Sequence, residues 1–116
     1  MRSATERALS VCPIEVSVSV IGGAWKLTIV RHLFWGTRRF GELRRELGDV
    51  SDRTLTRQLR ELEDDGLVHR EVFAEVPPRV EYSLTPLGES LHSVVETLDA
   101  WGKEWANCRG ISIAGE

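Results

Sequence analysis

The sequence predicts an α+β domain that is mainly α-helical, and three observations support this class. Residues 51–65 are predicted to form an amphipathic helix, because their leucines recur at helical spacing. A short helix that ends at Gly48 precedes it, and two segments of alternating apolar and polar residues follow within residues 67–84. A chain of 116 residues has room for one compact domain with its own core.

The N-terminal part carries weaker signals. Residues 1–10 are polar, so we expect a flexible arm. The alternating run at 14–20 is typical of a strand, although the preceding Pro13 is favoured at the start of a helix. Residues 25–34 are predicted to form a helix that Gly36 terminates.

The middle of the chain predicts a helix-turn-helix. Phe40, Leu43 and Leu47 share one face of a short helix. After the turn at 48–50, Ser51 is a strong N-cap candidate for the helix 51–65, which Gly66 should end. Three leucines of that helix form the expected buried stripe: Leu55, Leu59 and Leu62.

A β-hairpin and a long helix complete the predicted fold. Pro77 and Pro78 force a turn between the strands of 67–84, and a hairpin directly after a helix-turn-helix is the arrangement of a winged helix. The last helix, predicted at 86–107, would be about 33 Å long and would overhang the small core. Its apolar side follows a heptad spacing through Leu87, Leu91, Val94, Leu98, Trp101 and Trp105. This stripe either packs on the protein's own core or, as we favour, forms a homodimer interface.

Charge is distributed unevenly along the chain. The formal net charge is −3, yet residues 31–60 contain eight Arg and four acidic residues. Arginine offers a planar donor fork that suits phosphate groups and guanine edges. This block therefore indicates either an anionic partner or a solvated helix face with internal ion pairs.

The strongest candidates for DNA contact lie in the helix 51–65. Its arginines cluster opposite the leucine stripe, where they could enter the major groove. For Arg60, pairing with Asp64 is the competing interpretation, and Asp52 and Glu61 could compete for the others. The full predicted DNA-binding set is Arg38, Arg39, Ser51, Arg53, Thr54, Thr56, Arg57, Arg60 and, at the hairpin tip, Arg79. Arg44 and Arg45 are weaker candidates for phosphate contact.

Other classes of protein receive little support. No apolar run reaches the length of a membrane span, and the N-terminus does not resemble a secretory signal, so we expect a cytoplasmic protein. His, Cys and acidic residues lack metal-ligand spacing, no catalytic motif is present, and no cofactor is predicted. Cys12 stands at a predicted helix start, which favours a thiolate; it is either a sensor or a small buried filler.

The chain resembles the HxlR-type winged-helix regulators over Cys12 to about Trp105. Several stretches taken together carry the resemblance: Cys12-Pro13, Ile21-Gly22-Gly23-Ala24-Trp25-Lys26, Arg39-Phe40-Gly41-Glu42-Leu43, residues 55–68, Val76-Pro77-Pro78-Arg79-Val80-Glu81-Tyr82 and Leu84-Thr85-Pro86-Leu87-Gly88. The predicted domain spans 11–108, with a recognition helix at 51–65, a wing at 67–84 and a dimerisation helix at 86–107. Residues 109–116 would form a tail.

The resemblance implies a transcription regulator that binds double-stranded operator DNA as a homodimer, most often as a repressor. It implies that 13–21 is helical and joins the dimer interface through Ile14, Val18 and Ile21, and we prefer this to the strand. Some members sense oxidants or electrophiles at the position of Cys12. The effector stays unknown. The alternative function is a winged-helix module that binds proteins without specific DNA readout.

Overall fold

The computed structural model describes residues 1–113 and combines helices with a small antiparallel sheet. The sheet has three strands. Within the described residues the elements are α1 (Ser3–Leu9), α2 (Pro13–Ile21), α3 (Lys26–Leu33), β1 (Arg38–Arg39), α4 (Phe40–Leu47), α5 (Asp52–Asp64), β2 (Val68–Phe73), β3 (Arg79–Leu84), α6 (Pro86–Glu89) and α7 (His92–Cys108). The mainly helical winged helix-turn-helix predicted from the sequence is confirmed.

Local hydrogen bonds define both ends of α5. The Ser51 side chain accepts a hydrogen bond from the Thr54 backbone N at 3.1 Å, as expected of an N-cap. At the other end, the Leu67 N–H donates to the Leu62 carbonyl at 2.9 Å, while Gly66 adopts a φ of 80°. This Schellman arrangement needs a residue that tolerates the left-handed region, which glycine does.

The core lies between α3, α4, α5 and the sheet. The predicted stripe of α5 is its centre, since Leu55, Leu59 and Leu62 are at most 1% exposed. Ile29 of α3 and Leu43 of α4 are fully buried against it. Such burial stabilises the fold by roughly 1.5–3 kcal/mol for each large apolar side chain. It also fixes which side of α5 faces outward.

The wing is the predicted hairpin with one additional strand. In the hairpin, β2 and β3 pair from Val68 opposite Leu84 to Phe73 opposite Arg79. The two-residue strand β1 pairs with β3 on its other side. Sequence analysis missed β1 because two adjacent arginines show no alternation of apolar and polar residues.

The N-terminal residues differ from the predicted flexible arm of 1–10. Residues Ser3–Leu9 form α1, and its small side chains Thr5 and Ala8 are 7% exposed against the domain. The Ser19 hydroxyl donates to the Thr5 hydroxyl at 3.1 Å, which joins α1 to α2. Two small residues give no visible apolar stripe, so the packing of this helix was not apparent from its composition.

Residues 13–21 form a helix, so the helix that the resemblance implies is confirmed and the strand suggested by alternation is wrong. Pro13 occupies the first turn of α2. The run is apolar on most sides, because Val20 and Ile21 pack against the core while Ile14 and Val18 are 72% and 54% exposed. Two separate apolar surfaces on one helix produce an alternation that resembles a strand pattern.

The single helix predicted at 86–107 is divided in two. Thr85 caps α6 by accepting from the Gly88 N–H at 3.1 Å, and Ser90 and Leu91 separate α6 from α7. Gly88 is buried so closely that a Cβ there would lie 2.1 Å from the Leu67 carbonyl oxygen. This close approach holds α6 against the short segment between α5 and β2. The predicted tail, residues 109–116, is described only to Ile113, and its last three residues lie outside the described residues.

Within residues 1–113 no single helix is long and apolar enough to span a membrane, and α2 with α3 reaches that length and composition only as a pair bent by 76°. In the same part of the chain, no three His, Cys, Asp or Glu side chains are grouped to hold a metal ion.

Candidate nucleic-acid interface

The outer face of α5 carries three arginines. Their side chains are exposed, as the helical spacing of the sequence predicted: Arg53, Arg57 and Arg60. We call these three side chains the arginine face. They occupy two successive turns because their spacings of four and three residues keep them on one side of the helix. The buried leucines on the opposite side hold this face toward solvent.

The arginine face carries no ion pair among residues 1–113. No described carboxylate lies within 4.0 Å of its guanidinium nitrogens. The Arg60–Asp64 pair expected from their i,i+4 spacing is therefore absent from the described structure. Arg60 precedes Asp64 in the helix, which is the less favourable order for such a pair.

Three of the four acidic residues of α5 instead pair with bases from other elements. Asp52 accepts from Arg44 of α4 at 2.6 Å, and Glu63 lies 3.3 Å from Arg70 of β2. Glu61 accepts at one oxygen from Lys26 Nζ at 3.0 Å and from Arg2 Nη1 at 2.9 Å. The acids that could neutralise the arginine face are thus largely occupied elsewhere.

Glu61 has the most constrained environment of these acids. Burial raises the pKa of Glu61, but the hydrogen bond and charge of Lys26, together with the charges of Arg2 and Arg57, outweigh this and lower it below 4.5. Lys26 is 1% exposed, so its ammonium group depends on this carboxylate for a partner. Glu61 therefore stays charged and bound near neutral pH.

The roles of Lys26 and Arg2 were not predicted from the sequence. One signal was available for Lys26, because it precedes Ile29, Val30 and Leu33 on the apolar side of α3. A lysine at a core position requires an acidic partner. The sequence did not indicate which acid, since Glu61 lies 35 residues away.

The hydroxyl residues predicted to contact DNA have different surroundings. Ser51 caps α5, and its hydroxyl also donates to the Thr54 hydroxyl at 3.0 Å. Thr54 and Thr56 are half-buried beside the arginine face. Ser51 and Thr54 thus have a structural role already, whereas Thr56 borders the exposed arginines.

The two arginines of β1 are not equivalent. Arg38 donates from Nε to Glu46 at 2.8 Å, and its side chain is 20% exposed. Arg39 has an exposed side chain, while its backbone N–H donates to Glu42 at 2.8 Å and so supports the start of α4. Of this pair, Arg39 is better placed to reach a phosphate.

Arg79 is held within the wing. Its guanidinium carbon lies 3.9 Å from the centre of the Phe73 ring. Its terminal nitrogens lie 2.9 Å from Glu81 and 3.1 Å from Glu75. These pairs compete with DNA, so a contact from Arg79 stays a prediction that requires local rearrangement.

The predicted dimer residues divide into two groups. Ile21 and Leu91 pack against the protein's own core. The others are between 37% and 72% exposed, and we call them the apolar face: Ile14, Val18, Leu87, Val94, Leu98, Trp101 and Trp105. Among the residues of α7, Ala106 alone is buried. Exposed tryptophans and aliphatic residues on one helix are typical of a protein interface.

The two cysteines lie at helix ends. Cys12 is the N-cap residue of α2 and is partly buried. Cys108 is exposed at the last residue of α7. Both are free thiols in this structure.

The fold and this face together define a class of protein. A helix-turn-helix with a wing, whose second helix presents arginines, is the architecture of DNA-binding regulators. The sequence model of the HxlR-like helix-turn-helix family matches residues 20–109 of this chain. The chain therefore belongs to that family. The protein is therefore a helix-turn-helix transcription regulator.

Individual relatives agree with this assignment. The HTH-type transcriptional regulator YybR of Bacillus subtilis is 50% identical over 92 residues, which cover 79% of this chain and 74% of the relative. The solved structure of the HTH-type regulator ytcD has a TM-score of 0.78 at 44% identity, with 83% and 98% of the two chains covered. The redox regulator HypR in its oxidized form has a TM-score of 0.75 at 49% identity, covering 80% and 96%.

Proposed function

We propose that the protein is a homodimeric repressor that binds a pseudo-palindromic operator through the arginine face. One observation carries this proposal: Arg53, Arg57 and Arg60 are exposed and without described ion pairs, on the side of α5 opposite its buried leucines. Arg53 and Arg57, nearest the N-terminus, would read guanine edges in the major groove. Arg39 would contribute phosphate contacts, which set register and affinity.

Arg57→Ala tests the DNA contact. A duplex recovered by selection from a random library with the wild-type protein serves as the operator probe. We expect the variant to bind this duplex about 1–3 kcal/mol more weakly, with a smaller loss on a random duplex of equal length. Fluorescence anisotropy measures both affinities.

Arg7→Ala is the matched control, because Arg7 is an exposed arginine on α1. It should leave operator affinity nearly unchanged. Equal losses for Arg57→Ala on both duplexes would reduce Arg57 to a phosphate contact. Wild-type binding that does not weaken as salt rises would favour a protein-binding module instead.

The homodimer is supported by the apolar face. A two-fold pair would bury these side chains and present two copies of α5, separated by about one helical turn of DNA, or roughly 34–36 Å. Such a pair matches an operator with two inverted half-sites. Footprinting on the selected duplex should show two protected, inverted segments, and one unrepeated segment would argue against the dimeric complex.

Repression would follow from occupancy of a promoter. A dimer bound across the promoter excludes polymerase. Deletion of the gene should therefore raise the transcription of a reporter whose promoter contains the selected site. A fall in reporter output would identify an activator instead.

Cys12 supplies a candidate route for regulation. Cys12 is the N-cap residue of α2, and this helix also carries part of the apolar face. The relative HypR is a redox regulator, which agrees with such a role. Diamide should lower the operator affinity of the wild type and of Cys108→Ser, but not of Cys12→Ser. Unchanged affinity despite confirmed modification of Cys12 would exclude sensing.

A further inference from the structure

We infer that Arg2 is a positioning residue for DNA binding, which keeps Glu61 away from Arg57 without itself touching DNA. The inference rests on the proposed function, because it takes Arg57 to contact the operator. Arg57 and Glu61 are four residues apart on α5, which is the spacing of a helical ion pair, here in the weaker order with the basic residue first. If they paired, the carboxylate would compete with DNA for the guanidinium group.

The structure shows how this competition is avoided. One oxygen of Glu61 is held by Arg2 Nη1 at 2.9 Å and by Lys26 Nζ at 3.0 Å. Lys26 approaches from the buried side, since it is 1% exposed. Arg2 has a partly exposed side chain and approaches from the N-terminal segment. The two bases hold the carboxylate from different elements, and Arg57 keeps no described acidic partner.

Arg2 is itself fixed in place by further contacts. Its Nη2 donates to the Ser19 carbonyl at 2.9 Å and also bonds Asp65 at the end of α5. The Asp65 side chain is 11% exposed, so this pair is well shielded from solvent. Arg2 therefore connects α2 to the C-terminal part of α5 and has little freedom to release Glu61.

The same arrangement occurs at the other end of the recognition helix. Asp52 lies beside Arg53 in sequence, and its carboxylate accepts from Arg44 Nε at 2.6 Å. Arg44 also donates to the Gly48 carbonyl at 3.2 Å, which steadies its side chain in the turn. Asp52, like Glu61, is thus paired with a base outside α5.

Arg2→Gln tests the inference in two backgrounds. In the otherwise wild-type protein it removes one of the two bases that hold Glu61, so that the carboxylate is shared between Lys26 and Arg57, and operator affinity should fall about two- to fivefold. In the Arg57→Ala background the same change should have no further effect, because the group that Glu61 would capture is gone. The probe is the selected duplex, and thermal melting verifies that each variant is folded.

The outcomes separate this inference from the proposed function. An equal loss in both backgrounds, or no loss in the wild type, overturns the role of Arg2. If Arg57→Ala alone costs nothing, the proposed contact of Arg57 fails instead.

A second variant applies if Arg2→Gln does not fold. Lys26→Met combined with Glu61→Gln removes the buried pair together, which replaces an ion pair by neutral groups of similar size. Without the acid, operator affinity should stay within about twofold of the wild type. A loss of more than about fivefold would show that the carboxylate itself is needed for binding, and would overturn the inference.

Discussion

The helices α5 and α7 are both amphipathic, but their apolar sides have different fates. In α5 the leucines are at most 1% exposed, because α3, α4 and the sheet cover them. In α7 the apolar stripe includes Trp101 at 61% and Trp105 at 50% exposure. A periodic apolar pattern therefore predicts that a helix has a face that packs against other apolar groups. Whether those groups belong to the same chain depends on the rest of the fold.

The largest expected effect comes from breaking the covered side. Leu59→Ala removes a side chain that is 1% exposed, and it should lower the free energy of unfolding by about 2–5 kcal/mol. Leu98→Ala is the matched control, because Leu98 is 45% exposed on α7. Urea denaturation followed by circular dichroism measures both.

The control also sharpens the comparison. Loss of stability in Leu98→Ala should depend on protein concentration, since subunit association stabilises the folded state by mass action. Loss in Leu59→Ala should persist at every concentration. Identical behaviour of the two variants would remove the distinction between an internal face and an intermolecular one.

A smaller effect is expected from placing a charge on the open side. Trp101→Glu should weaken self-association by at least about 2 kcal/mol, since a central tryptophan is a typical interface hot spot. Asn107→Glu introduces the same charge at an exposed position off the stripe. Light scattering after size exclusion should find a folded monomer for the first and the wild-type state for the second. A dimeric, folded Trp101→Glu protein would contradict the interface.

The smallest expected effect is a pH dependence at the boundary between α5 and its scaffold. Burial raises the pKa of Glu61, but the interactions with Lys26, Arg2 and Arg57 have a larger, opposite effect. The pKa of this carboxyl group in the folded protein therefore lies below its ordinary value of 4.5. A carboxyl group whose pKa is lowered by folding stabilises the fold at pH values above its ordinary pKa. This contribution is lost as the pH falls through its pKa in the folded state. Melting temperature should therefore decrease on acidification.

The neutral pair Lys26→Met/Glu61→Gln provides the check. Its melting temperature should decrease less than that of the wild type between about pH 7 and about pH 3. The same slope in both proteins would mean that other carboxyl groups account for the acid sensitivity.

Features with local determinants were predictable from the sequence. Ser51 and Gly66 define α5 through contacts within a few residues, and the leucine spacing fixes its buried side. The orientation of the arginine face follows from the same spacing. The hairpin was similarly visible, because Pro77 and Pro78 separate two alternating segments.

Features that depend on distant partners were not predictable. The strand β1 exists because β3 is available to pair with it. The helix α6, which precedes the break before α7, contacts the Leu67 carbonyl at Gly88, 21 residues further along the chain. The contact of Arg2 with Glu61 joins residues 59 positions apart. Helical spacing suggested that Glu61 competes for Arg57, and only the three-dimensional arrangement shows its actual partners.

The placement of the ion pairs determines the electrostatic field at the surface of this protein. A net charge of −3 would by itself suggest repulsion from a polyanion such as DNA. Glu61 and Asp65, however, are turned toward the protein's own bases, whereas the guanidinium groups of α5 extend into solvent. An acidic chain thereby has a locally cationic surface at the arginine face. Its attraction to a DNA duplex depends on the arrangement of its charges more than on its net charge.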